Sequence, residues 1–269
     1  MRAIDTPPEA SDLQPAAVGD IWAALRAATS ARVGLTRVGH SLSTSDVLDL
    51  RQAHARARDT VHTPFDVTAL ISELADLQPL RLHSAAKDRL TYLRRPDLGR
   101  RLAHGSRLPH TGSDVVFVLA DGLSAAATMV HAPAVLRATI DALQGWSIGP
   151  VVIAEQARVA LGDHVADATG AAAVVVLIGE RPGLTATDSL GAYITHGPRA
   201  NSTDAERNCV SNIRPPDGLS HHEAASQISR LLVRARALGR SGVSLKNDED
   251  PALGAPPAAG GPPLAGRPR

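Results

Sequence analysis

Three stretches of the chain are apolar at nearly every position. They are Val115-Val116-Phe117-Val118-Leu119-Ala120, Val151-Val152-Ile153-Ala154 after Pro150, and Ala173-Val174-Val175-Val176-Leu177-Ile178. Short β-branched runs closed by Gly or Pro predict strands buried on both faces. Between them the period changes. Residues 125–143 are Ala-rich and predict a helix, and residues 163–169 predict a shorter one that stops at Gly170. A fourth strand is predicted over 191–195. Strands alternating with helices imply a mainly parallel sheet. The last helix is marked at both ends. Ser220-His221-His222-Glu223 has the form of a capping box, Ala225, Ile228, Leu232 and Ala235 make its apolar stripe, and Gly239 ends it.

The front of the chain shows helical periods and no convincing strand. Ile21, Trp22, Leu25 and Ala28 fall on one face, with Asp20 as cap. A second helix runs over 44–61, with Ser43, Thr44 and Ser45 available as caps and Val47, Leu50, His54, Ala57 and Val61 as its stripe. Arg51, Arg56 and Arg58 lie off that stripe and read better as a solvated face than as a binding patch. A third helix is expected over 67–76, after Thr63-Pro64. The expected architecture is α/β: a helical N-terminal region, 19–110, followed by a Rossmann-like domain with a mainly parallel sheet, 111–247. The Pro/Ala-rich segments 1–18 and 248–269 are expected to be disordered.

Composition narrows the function classes. Aromatics make up 2% of the chain and its formal net charge is +1. A nucleic-acid module that stacks bases on exposed aromatics, or a dedicated polyanion binder, fits this poorly. The cations are Arg apart from Lys87 and Lys246. One cysteine, Cys209, allows no intrachain disulfide and suits a reducing compartment. No segment is apolar for long enough to span a bilayer, and a soluble intracellular protein is expected.

Several strong motifs are missing. The first strand is not followed by G-x-G-x-x-G, and there is no Walker A loop, H-E-x-x-H or G-x-S-x-G. With a single cysteine, no thiolate-rich zinc site can be built. What remains are polar groups at the carboxyl ends of the strands: Asp121 and Ser124 after the first, Arg158 after the second, Glu180 and Arg181 after the third. Open α/β sheets bind ligands along that edge. Asp121 and Ser124 suit either ligand contact or plain helix capping. Glu180 suits a general base, an ion pair or a polar ligand contact. Arg158 suits a contact or ordinary surface charge. A free cysteine is more often a small buried hydrophobe than a nucleophile. Four arginines in Arg94-Arg95-Pro96-Asp97-Leu98-Gly99-Arg100-Arg101 could meet phosphates or carboxylates, or could sit exposed on a helix start.

Taken together, Ala120-Asp121-Gly122-Leu123-Ser124, Gln156-Ala157-Arg158-Val159, Gly179-Glu180-Arg181-Pro182-Gly183-Leu184, Asp188-Ser189-Leu190 and Arg207-Asn208-Cys209-Val210-Ser211-Asn212-Ile213 resemble the small (light) subunit of ethanolamine ammonia-lyase. The resemblance extends upstream through the arginine-rich stretch and Ala31-Arg32-Val33, and downstream to Ser241-Gly242-Val243. It covers roughly 19–247. It implies an adenosylcobalamin-dependent lyase that converts ethanolamine to acetaldehyde and ammonia by radical chemistry. It also implies a hetero-oligomer of large–small pairs in which the large (heavy) subunit carries the substrate site. Carried over by motif, Val159, Glu180 and Cys209 would contact the cofactor, with Arg158 as a further contact or support and no catalytic or metal-ligating residue on this chain. Cys209 would pack against cobalamin and need not be a thiolate. The chain lacks the D-x-H-x-x-G pattern, which agrees with base-on binding as the resemblance implies. Relatives housed in bacterial microcompartments carry a longer extension before the first shared helix, and here about 18 residues precede it. A cytoplasmic location, free or within such a compartment, is the expectation. The rival reading is a non-catalytic α/β module that binds a nucleotide-like ligand or a protein partner.

Overall fold

A computed structural model describes residues 21–245, with 30 and 36 excepted. The expected loose segments 1–18 and 248–269, and the Asp20 cap, lie outside the described residues. The front holds α1 (Ile21–Ala28), the short pair β1 (Arg37–Val38) and β2 (Ser41–Leu42), α2 (Thr44–His62) and α3 (Val67–Glu73). Ser43 caps α2 by accepting from the Asp46 N–H at 3.1 Å, and Asp66 caps α3 by accepting from the Ala69 N–H at 3.0 Å.

The front is not free of strands. β3 (Leu80–His83) runs parallel to a strand of the main sheet and forms one of its edges. Four residues, with Leu alternating against Arg and His, are too short a run to stand out as a strand by pattern. The remaining elements are α4 (Arg89–Arg94), β4 (Val115–Ala120), α5 (Ala125–Ala142), β5 (Ile148–Glu155), α6 (Leu161–Thr169), β6 (Ala173–Gly179), β7 (Leu190–His196), β8 (Asn208–Ile213) and α7 (His221–Leu238).

The six strands lie in the order β3-β5-β4-β6-β7-β8. The first four are parallel, while β7 pairs antiparallel with both β6 and β8. β4 and β6 are buried on both faces, as continuous apolar strands require. Their side chains alternate between two cores. Val115, Phe117 and Leu119 pack with α3, α5 and α7; Val116, Val118 and Ala120 pack with α6. Each fully buried Val or Leu side chain stabilises the fold by about 1.5–3 kcal/mol.

The two crossovers lie on opposite faces. The chain leaves β4 through α5 to reach β5 on one side, then returns through α6 to β6 on the other side of β4. From β6 it turns away again into β7. The loops after β4 and β6 therefore part company at neighbouring strand ends, where a doubly wound sheet opens a crevice.

Candidate functional site

The floor of that crevice is backbone. Gly122 has φ +54°, and a Cβ there would run into the Gly179 carbonyl oxygen. A Cβ on Gly179 would in turn run into the Ser124 carbonyl. The Leu123 N–H donates to the Gly179 oxygen at 2.9 Å and ties the two loops together. Above this floor lies a hollow of about 430 Å3 walled by Tyr92, Leu123, Arg158, Val159, Ile178, Glu180, Arg181 and Tyr193. A second hollow of about 470 Å3 shares Arg158, Val159 and Tyr193 and adds Arg100, Asp204 and Arg207.

Glu180 follows the last residue of β6 and is held from three sides. Its carboxylate accepts from the Ser189 hydroxyl at 2.6 Å, from the Ser211 hydroxyl, and from the Asn212 N–H at 3.4 Å. Its own N–H donates to the Ser189 carbonyl at 2.9 Å. Ser189 comes from the turn into β7 and Ser211 from β8, so three strand ends converge on one carboxylate. A carboxylate with three donors is held as an oriented acceptor.

The opposite wall is built on Asp121 and Tyr92. Asp121 is buried, and burial raises its carboxyl to about 6 against the N–H groups and the Arg89 guanidinium that favour the ionised form. It accepts from the Ala157 N–H at 2.9 Å and pairs with Arg89 at 3.1 Å. Arg89 also donates to the Val61 carbonyl at 2.7 Å and to the Gly122 carbonyl at 2.9 Å, joining α2 to the loop after β4. Tyr92 is fully buried, and its hydroxyl donates to the Ala157 carbonyl at 3.2 Å. Asp121 therefore braces the Gln156-Ala157-Arg158-Val159 loop, and Ser124 caps α5 by accepting from the Ala127 N–H at 3.3 Å. Arg89 and Tyr92, two further members of this wall, carried no sequence signal beyond an ordinary helix start.

Cys209 lies on β8 directly opposite Tyr193 of β7. The residue is exposed, so it is no part of the core. Packing around its sulfur pushes the thiol up to about 11; the Tyr193 hydroxyl donates to it and works against that rise, and the Glu180 charge adds to it. At neutral pH it is a thiol. Cys209 does not wall either hollow, but it touches Tyr193, which walls both. The structure thus brings Arg158, Val159 and Glu180 together at one crevice and sets Cys209 behind Tyr193 at its margin.

With this geometry in view, comparison with known proteins is specific. A sequence model described as ethanolamine ammonia-lyase light chain (EutC) matches residues 19–246. The chain belongs to that family. A protein of Rhodococcus erythropolis named ethanolamine ammonia-lyase small subunit is 49% identical over 232 residues, covering 85% of this chain and 90% of the relative. One of the same name from Xanthomonas campestris pv. campestris is 50% identical over 249 residues, covering 87% and 91%. Another from Pseudomonas fluorescens SBW25 is 47% identical over 240 residues, covering 84% and 86%.

For this light-chain family member, the motif residues divide by task. In Arg207-Asn208-Cys209-Val210-Ser211-Asn212-Ile213, Arg207 pairs with buried Asp163, and Asn208 exchanges hydrogen bonds with Gly242. Val210 and Ile213 are core, and Ser211 and Asn212 hold Glu180. The arginine-rich stretch is mostly not gathered at the crevice. Arg95 pairs with its neighbour Asp97 at 2.8 Å, Arg94 and Arg101 are exposed, and of the four Arg100 walls one of the two crevice hollows. Arg51, Arg56 and Arg58 are exposed on α2. No group of three or more His, Cys, Asp or Glu able to hold a metal ion is found among the described residues, and no helix among them is long and apolar enough to cross a membrane.

Proposed function

We propose that this chain is the small subunit of an adenosylcobalamin-dependent ethanolamine ammonia-lyase, which releases acetaldehyde and ammonia from ethanolamine only when paired with its large subunit. The single observation that carries the reading is the crevice at the sheet's switch point, where Glu180 is fixed as an acceptor opposite Arg158 and Val159. The donor set suits a corrinoid. Arg158, which walls both hollows, has its Nε buried without a hydrogen-bond partner, and Gln156 Oε1 in the same loop is likewise buried and unpartnered, one a donor and one an acceptor. A ligand edged with carboxamides offers both complements.

On this reading Glu180 accepts from the cofactor's amide N–H groups, Arg158 donates to its carbonyls, and Val159 gives an apolar contact between the two hollows. Cys209 packs at the margin as a neutral thiol. Bound adenosylcobalamin supplies the organic radical that begins the rearrangement. This chain's residues bind and orient the cofactor, and the groups that meet substrate belong to the large subunit. Half-exposed Trp22 and exposed Ile21 and Leu25 on α1, with the apolar hollow along α2, offer surface for that partner. The enzyme so read works in the bacterial cytoplasm, free or within a microcompartment.

The test is co-expression with a matching large subunit, followed by addition of adenosylcobalamin and ethanolamine. Acetaldehyde release by the pair, and none by either chain alone, is expected. A stable pair without product would defeat the functional reading. A Glu180→Ala pair that binds cobalamin as tightly as the wild type would defeat the assignment of the site while leaving the function standing.

A further inference from the structure

Three features of the crevice wall meet at one buried ring. Arg158 lies over one side of Tyr92, its guanidinium carbon 4.2 Å from the ring centroid, and Arg89 also stacks on the ring, at 4.8 Å. The Tyr92 hydroxyl holds the Ala157 carbonyl, and the Tyr92 carbonyl accepts from Arg158 at 3.4 Å. Gly99 packs against both Arg158 and Tyr92. Its carbonyl accepts from the Arg158 backbone N–H at 2.8 Å, and a Cβ on it would press on the Arg158 side chain, the Tyr92 ring and the Gln156 carbonyl. Arg89 is neutralised by Asp121, whereas Arg158 has no carboxylate partner among the described residues.

A long guanidinium at the mouth of a crevice loses substantial side-chain entropy when a ligand orders it. With its guanidinium stacked on Tyr92 and donating to the Tyr92 carbonyl, and its backbone N–H held by Gly99, Arg158 is ordered beforehand. We propose that Tyr92 is a positioning residue of the cofactor site: its ring fixes the Arg158 guanidinium in the arrangement that receives the corrinoid. The inference rests on the assignment of Arg158 given under the proposed function, and goes beyond it in naming the residue that sets its geometry.

The experiment is a double-mutant cycle on the large–small complex, with adenosylcobalamin as probe. The readouts are Kd from the absorbance change of bound cobalamin and kcat at saturating cofactor. Tyr92→Leu should raise Kd about 10-fold, because a partly desolvated cation–π contact and the ordering of Arg158 are lost together, while kcat at saturation stays within about twofold. In an Arg158→Ala background the same Tyr92→Leu change should raise Kd less than twofold. Arg158→Lys keeps the charge without the planar face and should bind nearly as weakly as Arg158→Ala. Independent, multiplying effects of Tyr92→Leu and Arg158→Ala would overturn the proposal. So would wild-type affinity in Arg158→Lys, a result that can be read even if Tyr92→Leu fails to fold. An unchanged Kd in Arg158→Ala would instead overturn the assignment of Arg158 itself, and with it the premise.

Discussion

Arg207 sets the two terminal nitrogens of its guanidinium on the two carboxylate oxygens of Asp163, at 2.6 and 2.7 Å. Both side chains are almost wholly buried. The pair joins the start of β8 to α6, and Arg207 also donates to Thr195 of β7 and to the Ser202 carbonyl. Removing one partner strands the other charge in the interior, which typically costs about 3–5 kcal/mol. Arg207→Ala and Asp163→Ala should each lower the urea midpoint by an amount of that order. An Arg207→Met/Asp163→Leu double variant should recover much of the loss. Single variants that unfold at the wild-type midpoint would refute the pair's structural weight.

Ser189 and Ser211 should matter to the cofactor more than to the fold. Each donates to the Glu180 carboxylate, and hydrogen bonds to a charged acceptor are worth about 1.5–3 kcal/mol. Where that energy orients the acceptor, Ser189→Ala or Ser211→Ala should weaken cobalamin binding by the complex about 10-fold. Equilibrium titration with adenosylcobalamin decides the matter; unchanged affinity in both variants would mean that Glu180 needs no such orientation.

The backbone contact under the crevice leaves no room for a side chain. Gly179→Ala would drive a methyl group into the Ser124 carbonyl, and Gly122→Ala would meet the Gly179 carbonyl from a left-handed backbone. Each should cost at least about 2 kcal/mol of stability and separate the loops that floor the site. Thermal unfolding of the purified complex is the measure. An alanine at either position that leaves the melting temperature within a degree would contradict the contact.

Acid should weaken the packing of α5 against α7. Buried His131 of α5 makes a 3.0 Å hydrogen bond to His221 at the start of α7, and its other ring nitrogen has no partner. Burial lowers the His131 pKa below its ordinary 6.5, and the neighbouring His221 lowers it further. A depressed histidine contributes stability that is complete above about 6.5 and lost as pH falls through the folded value. Asp121, raised to about 6, acts in the opposite sense, gaining stability as pH falls from there toward 3.8. The difference between wild type and His131→Gln isolates the histidine. The wild type should lose stability more steeply below pH 6.5, and parallel profiles for the two proteins would rule the pair out as the cause.

The central strands and their helices were legible because burial on both faces writes itself as unbroken apolar runs. β4, α5, β6 and α7 fall where residue pattern places them. β3 and β8 escape that signal for one reason. Both are edge strands, buried on part of one face, and neither carries enough apolar residues to show a period. The crevice was legible in three of its wall residues and not in its wiring. Glu180, Arg158 and Val159 stood at strand ends, but the partners of the Glu180 carboxylate lie 9, 31 and 32 residues away in sequence. Asp121 looked like a ligand group or a cap and instead braces the next loop through Ala157. Such long-range hydrogen bonds exist only once the sheet has brought its carboxyl ends together.

The peptide floor made by Gly122 and Gly179 bears on how the crevice spends entropy. Peptide planes have no rotamers to freeze, so a molecule settling on that floor orders nothing there. Glu180 and Arg158 are already immobilised by their neighbours. The conformational freedom given up on binding is concentrated in Arg181 and Arg100, exposed wall residues whose side chains make no hydrogen bond among the described residues. The crevice is a rigid mould whose ordering cost lies in two arginines at its rim.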